Sequence, residues 1–269
     1  MKKFEGMILA CDMDGTLLND DRQISQGNQQ ALRYFTQEGG RFSLATGRAP
    51  QAIQPYIPQM PFNAPYSLLN GSLILDSSHH VLHCAGMPED TKDLIRITLS
   101  EFSQIGCEIF VGNRVLIRRM SPETEHHIKV LNLEYSMVTQ ESLGNTAEWC
   151  KINFTGKPEQ MENVRTFLKP YTDRFCMASS MPAFCEITAS GINKGSALKQ
   201  IAADCGIAEN HIFAIGDSYN DESMLQAAHI GFAPSNSDED ILRTADVVVC
   251  SNSEDAVASA IEYMEAHYC

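Results

Sequence analysis

The chain has 269 residues, 43% hydrophobic and 20% charged, which is enough apolar material for more than one core and excludes wholesale disorder. Its formal net charge of −14 argues against a nucleic-acid phosphate surface, which depends on Lys and Arg, but leaves room for a small anion met locally. Nine cysteines without a CxxC pair argue against a disulfide framework or a regular zinc site, and no window approaches the ~20 apolar residues of a membrane helix, so a cytoplasmic chain of about two domains is expected.

The first element is the apolar run MILAC at 7–11, which reads as a buried strand. Asp12 and Asp14 follow at its carboxyl end, with Gly15 and Thr16 at a turn and Thr16 read as a cap. Two acids at a shared site repel unless a cation neutralises them or one keeps a proton, so the pair points to metal-assisted or acid/base chemistry; a solvated acidic loop is the plainer alternative. Cys11 faces away from Asp12 along the strand and reads as core. Ala31, Leu32 and Phe35 sit at helical spacing in 25–38, and Gly39 and Gly40 close that helix. RFSLATGR reads as a second strand ending at Thr46 and Gly47, and SLLNGSLIL as a third with a break at Asn70 and Gly71. Strand, helix, strand predicts a parallel sheet, and right-handed crossovers let Asp12, Thr46 and Asn70 share one rim.

The pattern changes over 83–188. A helix at 88–102 precedes CEIFV and RVLIR, whose Gly112 and Asn113 junction signals a hairpin. CKINFTG is strand-like, 158–168 helical, and 175–179 and 184–187 are further strands. This predicts an α+β domain at 83–188 inserted into a core made of 1–82 and 189–269. From Asn193 the alternation resumes: Ala197, Leu198, Ile201, Ala202 and Cys205 form one helical face, HIFAIGD a strand ending in acid, then a helix with Met224 and Leu225, strands at 229–233 and 246–249, and a helix through Ile261. His79, His80 and His83 are irregularly placed and receive no role.

Four segments fall at strand ends or helix starts: DMDGTL at 12–17, ATGR at 45–48, NKG at 193–195 and GDSYND at 216–221. Each is weak alone. Lys194 opens a helix, where its ammonium and the helix dipole favour an anion, although a surface lysine is the ordinary reading. Asp217 and Asp221, four residues apart, can aim at one site if a helical turn begins between them; Asp221 alone also fits a helix N-terminal acid. In this order, the four segments resemble the haloacid-dehalogenase-like hydrolase superfamily over nearly the whole chain, and NGS at 70–72 with the mid-chain insertion resembles its Cof-type, sugar-phosphatase-like branch.

That resemblance implies a doubly wound α/β core with a mobile α+β cap, and a phosphatase acting on a small phosphorylated metabolite, with a sugar phosphate leading. It makes Asp12 the nucleophile that forms an aspartyl phosphate and Asp14 the general acid/base, the Asp14 backbone carbonyl helping to hold the metal. Thr46 would donate to a phosphoryl oxygen and Lys194 would neutralise the phosphate. Mg2+ would sit among Asp12, Asp217 and a phosphoryl oxygen, with Asp221 binding directly or through water. Gly47 would allow close backbone approach; Arg48 fits either a substrate contact or a structural cap. Asn70 and Gly71 fit a substrate contact or only a turn, as does Asn220. FAPSNSDED at 232–240 departs from the branch through Pro234, leaving Asn236 without a firm role. A sugar phosphotransferase or mutase would use the same aspartyl phosphate, and a non-enzymatic phosphate sensor would have lost a catalytic acid; all the main positions are present here.

Overall fold

A computed structural model describes residues 2–269, which divide into two compact units: residues up to 46 with 55–82 and 193–269, and residues 47–54 with 83–192. In the first unit β1 (Ile8–Cys11) is buried throughout, as an unbroken apolar run between two neighbouring strands must be. Next comes α1 (Gln26–Gln37), capped by the Ser25 hydroxyl oxygen, which accepts from the Asn28 N–H at 3.1 Å. Its Leu32 and Phe35 are fully buried, each stabilising the unit by about 1.5–3 kcal/mol. After β2 (Arg41–Leu44) and the short α2 (Pro50–Ile53) come β3 (Tyr66–Leu68), β4 (Leu73–Leu75) and β5 (Val81–Cys84). The single broken strand expected over 67–75 is instead an antiparallel pair, β3 with β4, turning through Leu69, Asn70 and Gly71 at φ 53°, 57° and 94°. Only glycine fits the last position, because a Cβ there would lie 2.4 Å from the Asn193 carbonyl oxygen.

The second unit runs through α3 (Thr91–Glu101), β6 (Gly106–Val111), β7 (Arg114–Arg119), α4 (Pro122–Leu131), β8 (Tyr135–Met137), β9 (Lys151–Thr155), α5 (Pro158–Leu168), β10 (Phe175–Ala178) and β11 (Phe184–Ala189). Its sheet has the order β10-β11-β9-β6-β7-β8, antiparallel except where β8 joins β7. Ile109, Ile152, Phe154 and Ile187 pack into a core with Leu94 and Leu99 of α3 and Met161 and Val164 of α5. The period-2 alternation of KINFT turns Lys151 and Asn153 to the opposite face. There the register sets Glu108 and Glu186 on either side of Asn153, and all four residues are buried. Lys151 Nζ meets Glu186 Oε2 at 3.1 Å, while the Glu108 carboxylate accepts from Asn153 Nδ2 at 3.0 Å and lies 2.9 Å from His127 Nδ1. The sequence does not announce α4 and β8: α4 buries only Thr124 and Ile128, and β8 is exposed at every residue, so neither carries a strong apolar period.

Residues 47–54, expected with the 1–82 segment, group instead with the inserted unit. Gln51 Nε2 donates to the Asn113 carbonyl at 2.6 Å, Gln51 Oε1 accepts from the Glu134 N–H at 2.7 Å, and Lys151 Nζ donates to the Gly47 carbonyl at 2.6 Å. At its far end this unit continues past 188 to Ile192, whose carbonyl accepts from Thr188 Oγ1 at 2.6 Å.

The chain then returns to the first unit with α6 (Lys194–Asp204), β12 (Ile212–Ile215), α7 (Glu222–Ala227), β13 (Ile230–Pro234), α8 (Glu239–Thr244), β14 (Val247–Val249) and α9 (Ala256–Tyr268), the last running beyond the expected Ile261. Five parallel strands lie in the order β14-β13-β12-β1-β2, and an Ala45 to Ser67 bridge sets β3 beside the end of β2. This is a doubly wound α/β sheet. The chain leaves β1 towards β2 on one side and returns through β12 on the other, so the carboxyl end of β1 lies where such sheets open a ligand crevice. No helix among the described residues is long and apolar enough to cross a membrane.

Candidate active site

Asp12 lies one residue past β1, and its N–H donates to the Ile215 carbonyl at 2.9 Å, so the β1 to β12 ladder carries it to the sheet edge. Gly216 bonds the Phe232 carbonyl in the same way at 3.2 Å and delivers Asp217 beside it. On the other flank the Thr46 N–H donates to the Ser67 carbonyl at 3.1 Å, and the Thr46 carbonyl accepts from the Asn70 N–H at 3.1 Å. Lys194 is the first residue of α6, held by Asn193 Oδ1, which accepts from the Ser196 N–H at 2.8 Å. The tight approach of α6 to α7 requires Gly195, where a Cβ would lie 2.1 Å from the Ser223 carbonyl oxygen.

These elements bring three acids and one ammonium together. Lys194 Nζ, fully buried, stands 2.6 Å from Asp12 Oδ1 and 2.6 Å from Asp221 Oδ1. Asp221 Oδ2 accepts from the Asp217 and Ser218 N–H groups at 3.2 and 3.1 Å, which closes the 217–221 turn around its own carboxylate. Asp12, Asp217 and Asp221 each offer an oxygen within 4.8 Å of the others. Burial, then the neighbouring Asp221 charge, pushes the Asp12 carboxyl well above the usual carboxylate range, with Lys194 pulling the other way. The same two causes raise Asp217 to about 6, against hydrogen bonds from Thr16 and Ser218. Burial opposes the charge on Lys194, but the two carboxylates outweigh it and hold the ammonium above the ordinary lysine value. Three carboxylates around one ammonium leave a surplus of negative charge at a buried point, and a set of hard oxygen donors there fits a divalent cation.

Asp14 is exposed on the bend after Asp12, at φ −80° and ψ 127°, and its carboxylate is not among the three clustered acids. Asn220 Nδ2 donates to Asn70 Oδ1 at 3.2 Å, and Gly71 packs against Asn193, so the NG turn is tied to both later motifs. Gly47 and Arg48 belong to the inserted unit; Arg48 is buried and Nη1 donates to the Ala52 carbonyl at 3.1 Å. Thr16, expected as a turn cap, instead donates to Asp217 Oδ1 at 2.7 Å, and Ser218 Oγ donates to Asp217 Oδ2 at 2.9 Å. Asn236 Nδ2 donates to the Gly15 carbonyl at 2.9 Å and steadies the acidic turn from the loop after β13. A hydroxyl beside each acidic motif was the available signal for Thr16 and Ser218; the acceptor of Ser218 is the preceding residue, whereas that of Thr16 lies 201 positions away, beyond the end of β12.

Gly15 adopts φ +75°, and a Cβ on it would lie 2.4 Å from Asp217 Oδ2. Gly15→Ala is therefore expected to cost about 1–3 kcal/mol of stability in urea unfolding and to depress phosphate release by displacing Asp217. Unchanged activity together with an unchanged unfolding midpoint would show that the turn tolerates the methyl group.

The haloacid dehalogenase-like hydrolases match residues 9–261, and the chain belongs to that family, in its Cof-type branch. It is 26% identical over 256 residues to the 5-amino-6-(5-phospho-D-ribitylamino)uracil phosphatase YcsE of Bacillus subtilis, covering 95% of this chain and 94% of that protein. A haloacid dehalogenase-like hydrolase from B. subtilis, 26% identical and covering the whole of both chains, superposes with a TM-score of 0.85. A subclass IIB sugar phosphatase, BT4131, shares the fold at 21% identity, with a TM-score of 0.82 over 96% of this chain and 98% of its own. The protein is a phosphatase.

Proposed function

We propose that this phosphatase is Mg2+-dependent and hydrolyses a small phosphorylated sugar or polyol through an aspartyl phosphate on Asp12. The observation that carries the reading is the buried Lys194 ammonium shared by Asp12 and Asp221, with Asp217 within 4.8 Å of both. Asp12 attacks phosphorus, and the Lys194 charge draws the phosphoryl oxygens towards it and offsets their charge. Asp14, exposed on the adjoining bend, protonates the leaving alkoxide and later takes a proton from the water that hydrolyses the acyl phosphate. Thr46 donates its hydroxyl proton to a phosphoryl oxygen, while Asn70, Gly71 and Asn220 form the neighbouring wall. Asp12, Asp217, Asp221 and the Asp14 carbonyl would hold Mg2+, which when bound supplies charge neutralisation to the phosphoryl group. The inserted unit, to which Gly47 and Arg48 belong, serves as the cap that sets substrate choice.

The polyol class follows from the B. subtilis relative, whose substrate carries its phosphate on a ribityl chain. A phosphate-release screen over sugar, polyol and nucleotide monoesters tests the proposal. Release should favour the sugar and polyol esters, vanish on chelation and return with Mg2+. Transfer of labelled phosphate to a second sugar carbon without release would overturn hydrolysis, and chelation without effect would overturn the metal assignment.

A further inference from the structure

Away from the acidic site, the inserted unit holds two thiols against one another. Just beyond β5 the chain runs antiparallel to 146–150: the Met87 N–H donates to the Thr146 carbonyl at 3.0 Å, and Gly86 approaches Ala147 so closely that a Cβ would lie 2.0 Å from its carbonyl oxygen. Counting back from Met87 and forward from Thr146 brings Cys84 to the Trp149–Cys150 peptide, and the Cys84 and Cys150 sulfurs are 3.1 Å apart. Cys150 is held in place. Its N–H donates to the Phe110 carbonyl at 2.7 Å, its Sγ accepts from the Gly112 N–H at 3.4 Å, and its side chain is buried. Cys84 is exposed, so a small oxidant can reach one sulfur while the other waits behind it.

We propose that Cys84 and Cys150 form an oxidation-sensitive dithiol, a modification site at which a hydroperoxide closes a disulfide. The hydrogen bond between the sulfurs lowers the Cys84 thiol to about 7 and raises that of Cys150, so Cys84 carries the thiolate near neutral pH. That thiolate attacks one peroxide oxygen; the O–O bond breaks, hydroxide leaves and takes up a proton as water, and Cys84 becomes a sulfenic acid. Cys150 then attacks the Cys84 sulfur and gives up its proton. The S–S bond forms as the S–O bond breaks, and a second water departs. Two thiols are oxidised and one peroxide is reduced. Cys11, Cys107 and Cys185 differ, being buried with thiols that burial raises. Because Cys84 follows the point at which the chain enters the inserted unit, the bond would fasten that entry strand to the start of β9.

The test treats the undenatured full-length chain with hydrogen peroxide, alkylates the remaining thiols and maps unreduced peptides by mass spectrometry. Expected is a Cys84 to Cys150 linked peptide, two hydrogen atoms lighter than the separate thiol peptides and released by dithiothreitol. Cys84→Ser should abolish the link while keeping the parent's phosphatase activity and melting temperature. Cys150→Ala should leave a Cys84 sulfenic acid that dimedone traps, which reports the first step even if the linked product is lost to altered packing. Oxidation that begins at another cysteine, or Cys84 passing to sulfinic acid in the parent with no linked peptide, would overturn the proposal.

Discussion

Asp12→Asn is expected to reduce phosphate release by on the order of 10^4-fold or more, because an amide cannot replace the carboxylate as the attacking group. The fold should survive. Lys194 keeps its 2.6 Å contact with Asp221, and the substitution removes a carboxylate whose burial costs more than its partner returns, as its raised pKa records. At neutral pH without metal, the variant's melting temperature should equal or exceed the parent's, a case of stability given up for activity. Parallel phosphate-release assays and thermal melts check both halves. Activity within tenfold of the parent would remove Asp12 from the nucleophile's role.

Lys194→Ala is the second large effect and should act on both stability and rate. Removing the ammonium leaves Asp12 and Asp221 buried without their cation, which should cost about 3–5 kcal/mol. Loss of its charge at the phosphoryl group should lower turnover by about 10^2–10^3-fold. The pH dependence has a definite sign. Asp12 and Asp217 are raised in the folded state, so the stability linked to them is fully present below the unfolded carboxylate range and is lost as pH rises through the folded values, about 6 for Asp217. Without Lys194 that loss deepens, so the variant's deficit in urea unfolding should grow from acid to neutral pH. Lys194→Met separates charge from volume: a deficit as large as that of Lys194→Ala assigns it to charge, and recovery would assign it to packing.

The alternation of strands and helices in the core was legible because β1 and β12 are continuous apolar runs and α1 and α6 carry both an apolar period and a cap. Ser25 before α1 and Asn193 before α6 are local signals, and both cap as their residue types predict. The break at Asn70 and Gly71 was legible, but not that Leu69 would join it at positive φ and reverse the chain into an antiparallel pair. Residues 47–54 group with 83–192 through the bonds of Gln51 to Asn113 and Glu134, and nothing in the local pattern announces partners so distant. CKINFTG was legible as a strand, but not that its polar residues Lys151 and Asn153 would be buried against Glu186 and Glu108.

By itself, the sequence determined the doubly wound class, the inserted α+β region and the residue types at the four motifs, since these depend on periodicity and turn chemistry within a few residues. Tertiary structure alone decided that Lys194 is shared between Asp12, 182 positions away, and Asp221, and that Thr16 serves Asp217 across 201 positions. The physical reason is electrostatic. A carboxylate's charge state follows from its burial and from the charges within a few ångströms, and those neighbours are chosen by how strands stack side by side, not by their order along the chain.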